Sequence, residues 1–174
     1  MKLNMGCGTD IKKGFLNVDC RKDIGVDKVM DLDKLPLRFK TNQFSYIYAY
    51  NFLEHSKIML LEPIKFMEEL WRITKHGGVI EAEVPFGTLV WGQLDHKKGF
   101  TYSTFHLLDV NNPDRHTDSL ARFKVSFTTK PGVLGRFIPN FWIPGSTYGL
   151  RDTLALIFGM VNDRIVFKLQ VVKW

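Results

Sequence analysis

Lys2-Leu3-Asn4-Met5-Gly6-Cys7-Gly8, followed by Phe15-Leu16-Asn17-Val18-Asp19, decides how this chain is read. The first run is apolar and stops at two glycines; the second is apolar and stops at an acid. A strand ending in a glycine loop lets a bound group approach backbone where a Cβ would collide. A carboxylate at the tip of the neighbouring strand can accept both hydroxyls of a ribose. A charge-assisted hydrogen bond of this kind contributes about 1.5–3 kcal/mol. Loop and acid together describe a nucleoside site.

The dinucleotide fingerprint G-x-G-x-x-G fits poorly, because its third glycine position is Ile11. The acid follows Gly6 by 13 residues, whereas the dinucleotide pattern places it about 20 on. Gly6-Cys7-Gly8-Thr9-Asp10 also lacks the lysine and hydroxyl of a P-loop. The ligand therefore has a ribose and no pyrophosphate. At this point the chain resembles the class I S-adenosylmethionine-dependent methyltransferases, in particular their short-loop group. The resemblance rests on residues 2–8, Asn17-Val18-Asp19, Asp31-Leu32 and Tyr48-Ala49-Tyr50-Asn51-Phe52-Leu53-Glu54-His55.

At 174 residues the chain is expected to form a single domain, residues 1–174. With 45% hydrophobic and 24% charged residues it is of ordinary globular composition. No apolar run reaches the length of a membrane span, and the N-terminus meets its glycine loop before a signal-peptide core could form. Cys7 and Cys20 are the only cysteines, too few for a disulfide framework or a cysteine zinc site, so a reducing, cytoplasmic setting is expected. The formal net charge of +6 raises nucleic acid as a partner. The basic residues are scattered in pairs such as Lys12-Lys13 and Lys97-Lys98, and that partner is not favoured.

In chain order, residues 2–5, 15–19, 26–32, 44–50 and 79–84 read as strands. Leu60, Ile64, Met67, Leu70, Trp71 and Thr74 fall three or four apart, predicting a helix over Leu60–His76 stopped at Gly77-Gly78. The ten-residue link between the first two strands is at the lower limit for a parallel crossover, so its helix shrinks to about one turn. Ile80, Ala82 and Val84 alternate with Glu81 and Glu83, predicting a strand with one wet or cleft-lining face. Phe123, Val125 and Phe127, and later Ile165, Phe167, Leu169 and Val171, alternate with polar residues and predict an antiparallel hairpin at a sheet edge. A helix is expected over Leu150–Val161. The resulting fold class is α/β: a Rossmann-like, mostly parallel sheet with an antiparallel edge hairpin, in a three-layer α/β/α arrangement with a reduced first helix. Residues 85–118 and 131–162 read as substrate-side insertions, the latter aromatic enough to serve as a lid, a homodimer patch or a membrane contact.

The resemblance implies S-adenosyl-L-methionine as cofactor. Met5, Gly6, Cys7 and Gly8 would border its methionine part, Asp19 its ribose and Asp31-Leu32 its adenine, with Ala49 and Tyr50 alongside. Taken alone, Asp31 could equally cap a turn and His55 could be a helix-start or core residue. Ser45 departs from the acid common in relatives. Asp95 and His96, with His55, are the candidate catalytic residues: histidine can take a proton from a hydroxyl or amine near neutrality. No metal is expected, since Asp95, His96, His106 and His116 lack helical ligand spacing. No Asn/Asp-Pro-Pro-Tyr follows the fourth strand, which argues against amino methylation of a flipped DNA base. The function expected is methyl transfer by in-line displacement to a small molecule, glycan precursor or protein. The alternatives are an inactive cofactor-binding module with a regulatory role, and a nucleic-acid-binding protein.

Overall fold

The computed structural model describes residues 1–86, 93–115, 117–132, 134–137, 154 and 162–174. Leu3, Met5, Val18, Ile47 and Ala49 are fully buried on one face of the sheet, while Tyr46, Tyr48 and Tyr50 on the opposite face are half-buried. The strands are β1 (Lys2–Met5), β2 (Leu16–Asp19), β3 (Lys28–Val29), β4 (Phe44–Tyr50), β5 (Thr74–Pro85), β6 (Phe123–Pro131) and β7 (Asn162–Val171). They form one sheet in the order β3-β2-β1-β4-β5-β7-β6. Neighbours from β3 to β5 are parallel, and β7 runs antiparallel between β5 and β6. The order reverses between β1 and β4, which opens a crevice at their carboxyl ends. The mostly parallel Rossmann-like sheet and its antiparallel edge pair are thus as expected.

The link from β1 to β2 contains turns and no helix at all. Polar side chains do the work of one. Asn4, 1% exposed, donates to the Asp10 carbonyl at 2.7 Å and to Asn17 Oδ1 at 2.9 Å. Asn17 Oδ1 also takes the Lys12 N–H at 2.8 Å, and its amide reaches Asp27 Oδ2 at 2.8 Å. Backbone groups that a helix would pair internally are satisfied by two asparagines standing on adjacent strands. The same Asp27 carboxylate accepts the Asn17 N–H at 2.7 Å, and the Asp27 N–H donates to the Asn17 carbonyl at 3.0 Å; of the expected third strand, 26–32, only Lys28–Val29 form a strand.

The helix expected over Leu60–His76 is two helices, α1 (Lys57–Leu61) and α2 (Pro63–Ile73). Ser56 caps α1, its Oγ accepting the Met59 N–H at 3.1 Å. Pro63 opens α2 at the position where its missing N–H costs nothing. α2 buries Phe66, Met67, Glu69, Leu70 and Ile73, whereas Leu60 is exposed. The helix ends before the glycines because Thr74 turns to extended backbone and begins β5.

Part of residues 93–110, within the stretch read as a substrate-side insertion, is buried. Phe100 and Phe105 are 1% exposed, and the Phe105 ring meets Phe167 of β7 edge-on at 4.8 Å. This segment fills the core over the antiparallel strands. Among the described residues no helix is long and apolar enough to cross a membrane. The helix expected over Leu150–Val161, and the aromatic region behind the dimer and lid readings, lie almost wholly outside the described residues.

Candidate functional site

At the carboxyl ends of β1, β2 and β4 lies a cavity of about 650 Å³, within the usual range for small-ligand sites. Gly6, Cys7, Gly8, Asp19, Asp31, Leu32, Tyr50, His55 and Asp95 all stand on its wall. Met5 and Ala49 do not: both are 0% exposed, their side chains set back in the core behind the wall. His96 is half-buried beside His55. His106 is exposed in a short 3-10 helix, and His116 lies outside the described residues.

Gly6 and Gly8 have φ of +62° and +53°, the left-handed region that favours glycine. Gly6 has a second reason to be glycine. A Cβ there would lie 2.2 Å from Cδ2 of Phe52, so the ring occupies the space a side chain would need. The Gly8 N–H points to Asp19 Oδ2 at 2.9 Å. Asp19 Oδ1 accepts the Arg21 N–H at 3.0 Å and Arg21 Nε at 3.2 Å. Burial alone would push this carboxyl up. Hydrogen bonds from Arg21 and Gly8, with the Arg21 charge, outweigh it and hold the group below its ordinary value. Cys7 is buried between the glycines with its thiol pushed up by burial and by the Asp19 charge, the opposite of an activated nucleophile.

Asp31 both faces the cavity and caps a turn: its Oδ1 takes the Asp33 N–H at 3.0 Å. Asp33 reaches across to α1, accepting Ser56 Oγ at 2.8 Å and the Ile58 N–H at 3.1 Å. Those bonds fix the start of α1, and so His55, against the floor of the cavity. At the end of β4, Asn51 adopts φ +46° and donates its N–H to the Glu83 carbonyl at 3.0 Å. The Arg164 guanidinium lies 5.3 Å from the centre of the Tyr50 ring. Glu83 is 5% exposed and pairs with Lys130 at 2.6 Å and Arg164 at 3.9 Å. The face of β5 expected to be wet is therefore covered here by β6 and β7.

His55, Asp95 and His96 come together. His55 Nδ1 lies 3.2 Å from Asp95 Oδ2, and the His55 and His96 rings meet edge-on with centroids 4.8 Å apart. The loop carrying Asp95 and His96 is tied down by backbone: the Lys97 N–H donates to the Glu54 carbonyl at 2.7 Å. Glu54 itself is the residue the sequence reading missed. It is 1% exposed, its Oε1 stands 4.0 Å from His55 Nε2, and among the described residues its Oε2 has no hydrogen-bond partner. Burial raises its pKa, with His55 and His96 pulling weakly the other way. Its place in the Leu53-Glu54-His55 run was visible; that a carboxylate two residues before a helix cap would be fully buried was not.

Residues 3–82 match the family described as a methyltransferase domain. No curated protein matches the chain in sequence. Solved structures are similar in fold. A SAM-dependent methyltransferase from Archaeoglobus fulgidus is 14% identical with a TM-score of 0.63, over 97% of this chain and 85% of that one. The complex of the Haloferax volcanii Trm112 methyltransferase activator with a methyltransferase contains a chain 12% identical at TM-score 0.57, over 99% and 82%. Phosphoethanolamine N-methyltransferase 2 of Haemonchus contortus, in complex with S-adenosyl-L-methionine, is 12% identical at TM-score 0.58, over 99% of this chain and 48% of that one. The likeness to these solved structures is one of fold, and the match to the methyltransferase-domain family covers residues 3–82, just under half of the chain.

Proposed function

We propose that the protein catalyses transfer of a methyl group from S-adenosylmethionine to an acceptor bearing a hydroxyl or amine, by in-line displacement. The observation that supports this most is one cavity whose wall carries two chemically distinct sets of groups: the Asp19 carboxylate with the glycine loop, and His55 with Asp95. The residues fit the cofactor. Asp19 is an ionised carboxylate on the cavity wall, suited to ribose hydroxyls, and Gly6, Cys7 and Gly8 present backbone to the methionine part. Asp31 and Leu32 border the space for adenine, while Tyr50, and behind it Met5 and Ala49, close the β1–β4 side. When bound, the cofactor supplies an electrophilic methyl group on a sulfonium with a good leaving group.

With such a leaving group, the chain's main task is to hold the nucleophile about 3–3.5 Å from the methyl carbon. Asp95, His55 and His96 stand on the acceptor side. Asp95 orients the His55 imidazole through Nδ1, and the imidazoles are the groups there suited to receiving a proton. The acceptor is a small molecule, a glycan precursor or a protein side chain. Cys7 and Cys20 are both free thiols, which suits a reducing, cytoplasmic setting.

The test has two arms. Calorimetry with S-adenosylhomocysteine should give saturable one-to-one binding, and its absence would remove the assignment. A screen of cell extract for incorporation of labelled methyl should then find an acceptor. Binding without turnover on any acceptor would instead favour a regulatory module that kept the fold.

A further inference from the structure

Glu54, His55 and His96 each offer a ligating atom, and these atoms all lie within 4.8 Å of one another. We infer that they form a binding site for a first-row divalent cation at the His55 side of the cavity wall. A carboxylate with two imidazoles is a donor set for Mn²⁺ through Zn²⁺, and its nitrogen content disfavours Mg²⁺ and Ca²⁺. The sequence reading missed this set because it sought ligands at helical spacing among Asp95, His96, His106 and His116, and left Glu54 out.

Two observations beyond the cluster itself point to a ligand. The first is Glu54. Its side chain is 1% exposed, yet among the described residues Oε2 has no hydrogen-bond partner. Buried polar atoms are almost always satisfied, and an exception calls for an explanation. Oε1 faces His55 Nε2 at 4.0 Å, and a cation held by both carboxylate oxygens supplies the missing partner. The second is Asp95. Its Oδ2 lies 3.2 Å from His55 Nδ1 and its carbonyl 3.3 Å. That pairing places the ring proton on Nδ1 and leaves Nε2, the atom facing Glu54 at 4.0 Å, as the lone-pair nitrogen. A metal-bound histidine is commonly held in this way, by a carboxylate or carbonyl on its other nitrogen.

The spacing suits a set that tightens on binding. Bonds of about 2.0–2.2 Å put the donor atoms of a four-coordinate shell roughly 3.3 Å apart. Glu54 is buried while His55 and His96 are half-buried, so the approach falls to the two imidazoles. Three protein ligands leave a fourth position, and His55 belongs to the cavity wall as well as to the cluster. An oxygen of the methyl acceptor is the donor suited to that position. This deepens the proposed function and rests on it only there: a coordinated hydroxyl is acidified by the cation and gives its proton to solvent water, so that the metal-held oxygen takes the methyl group while the imidazoles act as ligands in place of bases. Cation binding itself requires no cofactor.

The test starts from full-length protein treated with chelator and dialysed. Zn²⁺ and Mn²⁺ are titrated by calorimetry, and Co²⁺ by its visible absorption, with and without S-adenosylhomocysteine. One saturable site is expected, with Co²⁺ bands of an imidazole-containing shell. His96→Ala and Glu54→Gln should each weaken it by at least about tenfold, and Asp95→Asn by about tenfold as an outer-shell change. S-adenosylhomocysteine affinity should be retained in His96→Ala, which shows that the variant is folded. No site in the wild type, or a site whose affinity is unchanged in His96→Ala and Glu54→Gln, would overturn the inference. Loss of S-adenosylhomocysteine binding in the wild type would count against the methyltransferase reading alone.

Discussion

Arg21 Nε stands 3.2 Å from Asp19 Oδ1, the oxygen that also takes the Arg21 backbone N–H, while the Gly8 N–H holds Oδ2 at 2.9 Å. A carboxylate has about four lone-pair sites, so this one is largely committed before any ribose arrives. Its Arg21 partner is the part free to leave, since that side chain is 54% exposed. Exposed ion pairs contribute about 0.2–1 kcal/mol. Arg21→Ala should therefore tighten S-adenosylhomocysteine binding by roughly two- to fivefold in calorimetry. A tenfold loss would instead make Arg21 a contact to the ligand.

Asp19→Asn removes the acceptor charge and should weaken the same ligand by about ten- to a hundredfold. It has a second signature, in acid. The folded carboxyl sits below its usual value of 3.8, so the native state resists protonation more than the unfolded chain does. Its contribution to stability is complete above that usual value and is lost as pH falls through the lower folded one. Urea unfolding of Asp19→Asn should lose less stability than wild type over that acid window. Parallel losses would mean that Asp19 is not held ionised by the loop.

What could be read in advance was whatever depends on near neighbours in sequence. β1, β2 and β4 declared themselves because alternate residues must be apolar to meet the core, as Leu3, Val18, Ile47 and Ala49 do, and Asp19 because it ends β2. Pro63 marked the break between α1 and α2, but the apolar spacing of Leu60 and Ile64 ran across it. The features that could not be read are paired over long distances. Glu83 is buried because Lys130 and Arg164 come back to cover it. Glu54 is enclosed by a loop whose Lys97 and Lys98 N–H groups hold its carbonyl. In both cases local pattern lost to a partner outside any sequence window.

Glu69 supplies a test of the scaffold apart from the site. It is 7% exposed, and its Oε1 takes the Leu37 N–H at 2.7 Å. Arg72 grips both of its oxygens and also donates to the Leu37 and Phe39 carbonyls. The pair therefore pins the turn after β3 to α2. Glu69→Ala leaves a buried N–H and a guanidinium without their acceptor and should cost about 1–3 kcal/mol in urea unfolding. Glu69→Gln keeps an acceptor for Leu37 and should cost less. S-adenosylhomocysteine affinity should hold in both, because neither residue borders the cavity.

The two loop glycines should separate backbone strain from steric exclusion. A non-glycine residue in the left-handed region costs about 1–2 kcal/mol, and that cost applies to Gly6→Ala and Gly8→Ala alike. At Gly8 the nearest obstacle to a Cβ is the Arg21 Nη2 at 3.0 Å, the flexible end of a half-exposed side chain that can move away. At Gly6 the obstacle is the Phe52 ring at 2.2 Å, which must be displaced toward the cavity. Gly6→Ala should thus lower the melting temperature more than Gly8→Ala and also reduce S-adenosylhomocysteine binding. Adding Phe52→Ala to Gly6→Ala should recover the steric part and leave a deficit like that of Gly8→Ala, after correction for Phe52→Ala alone. Equal losses in the two single variants would show that Phe52 does not set the requirement for glycine at position 6.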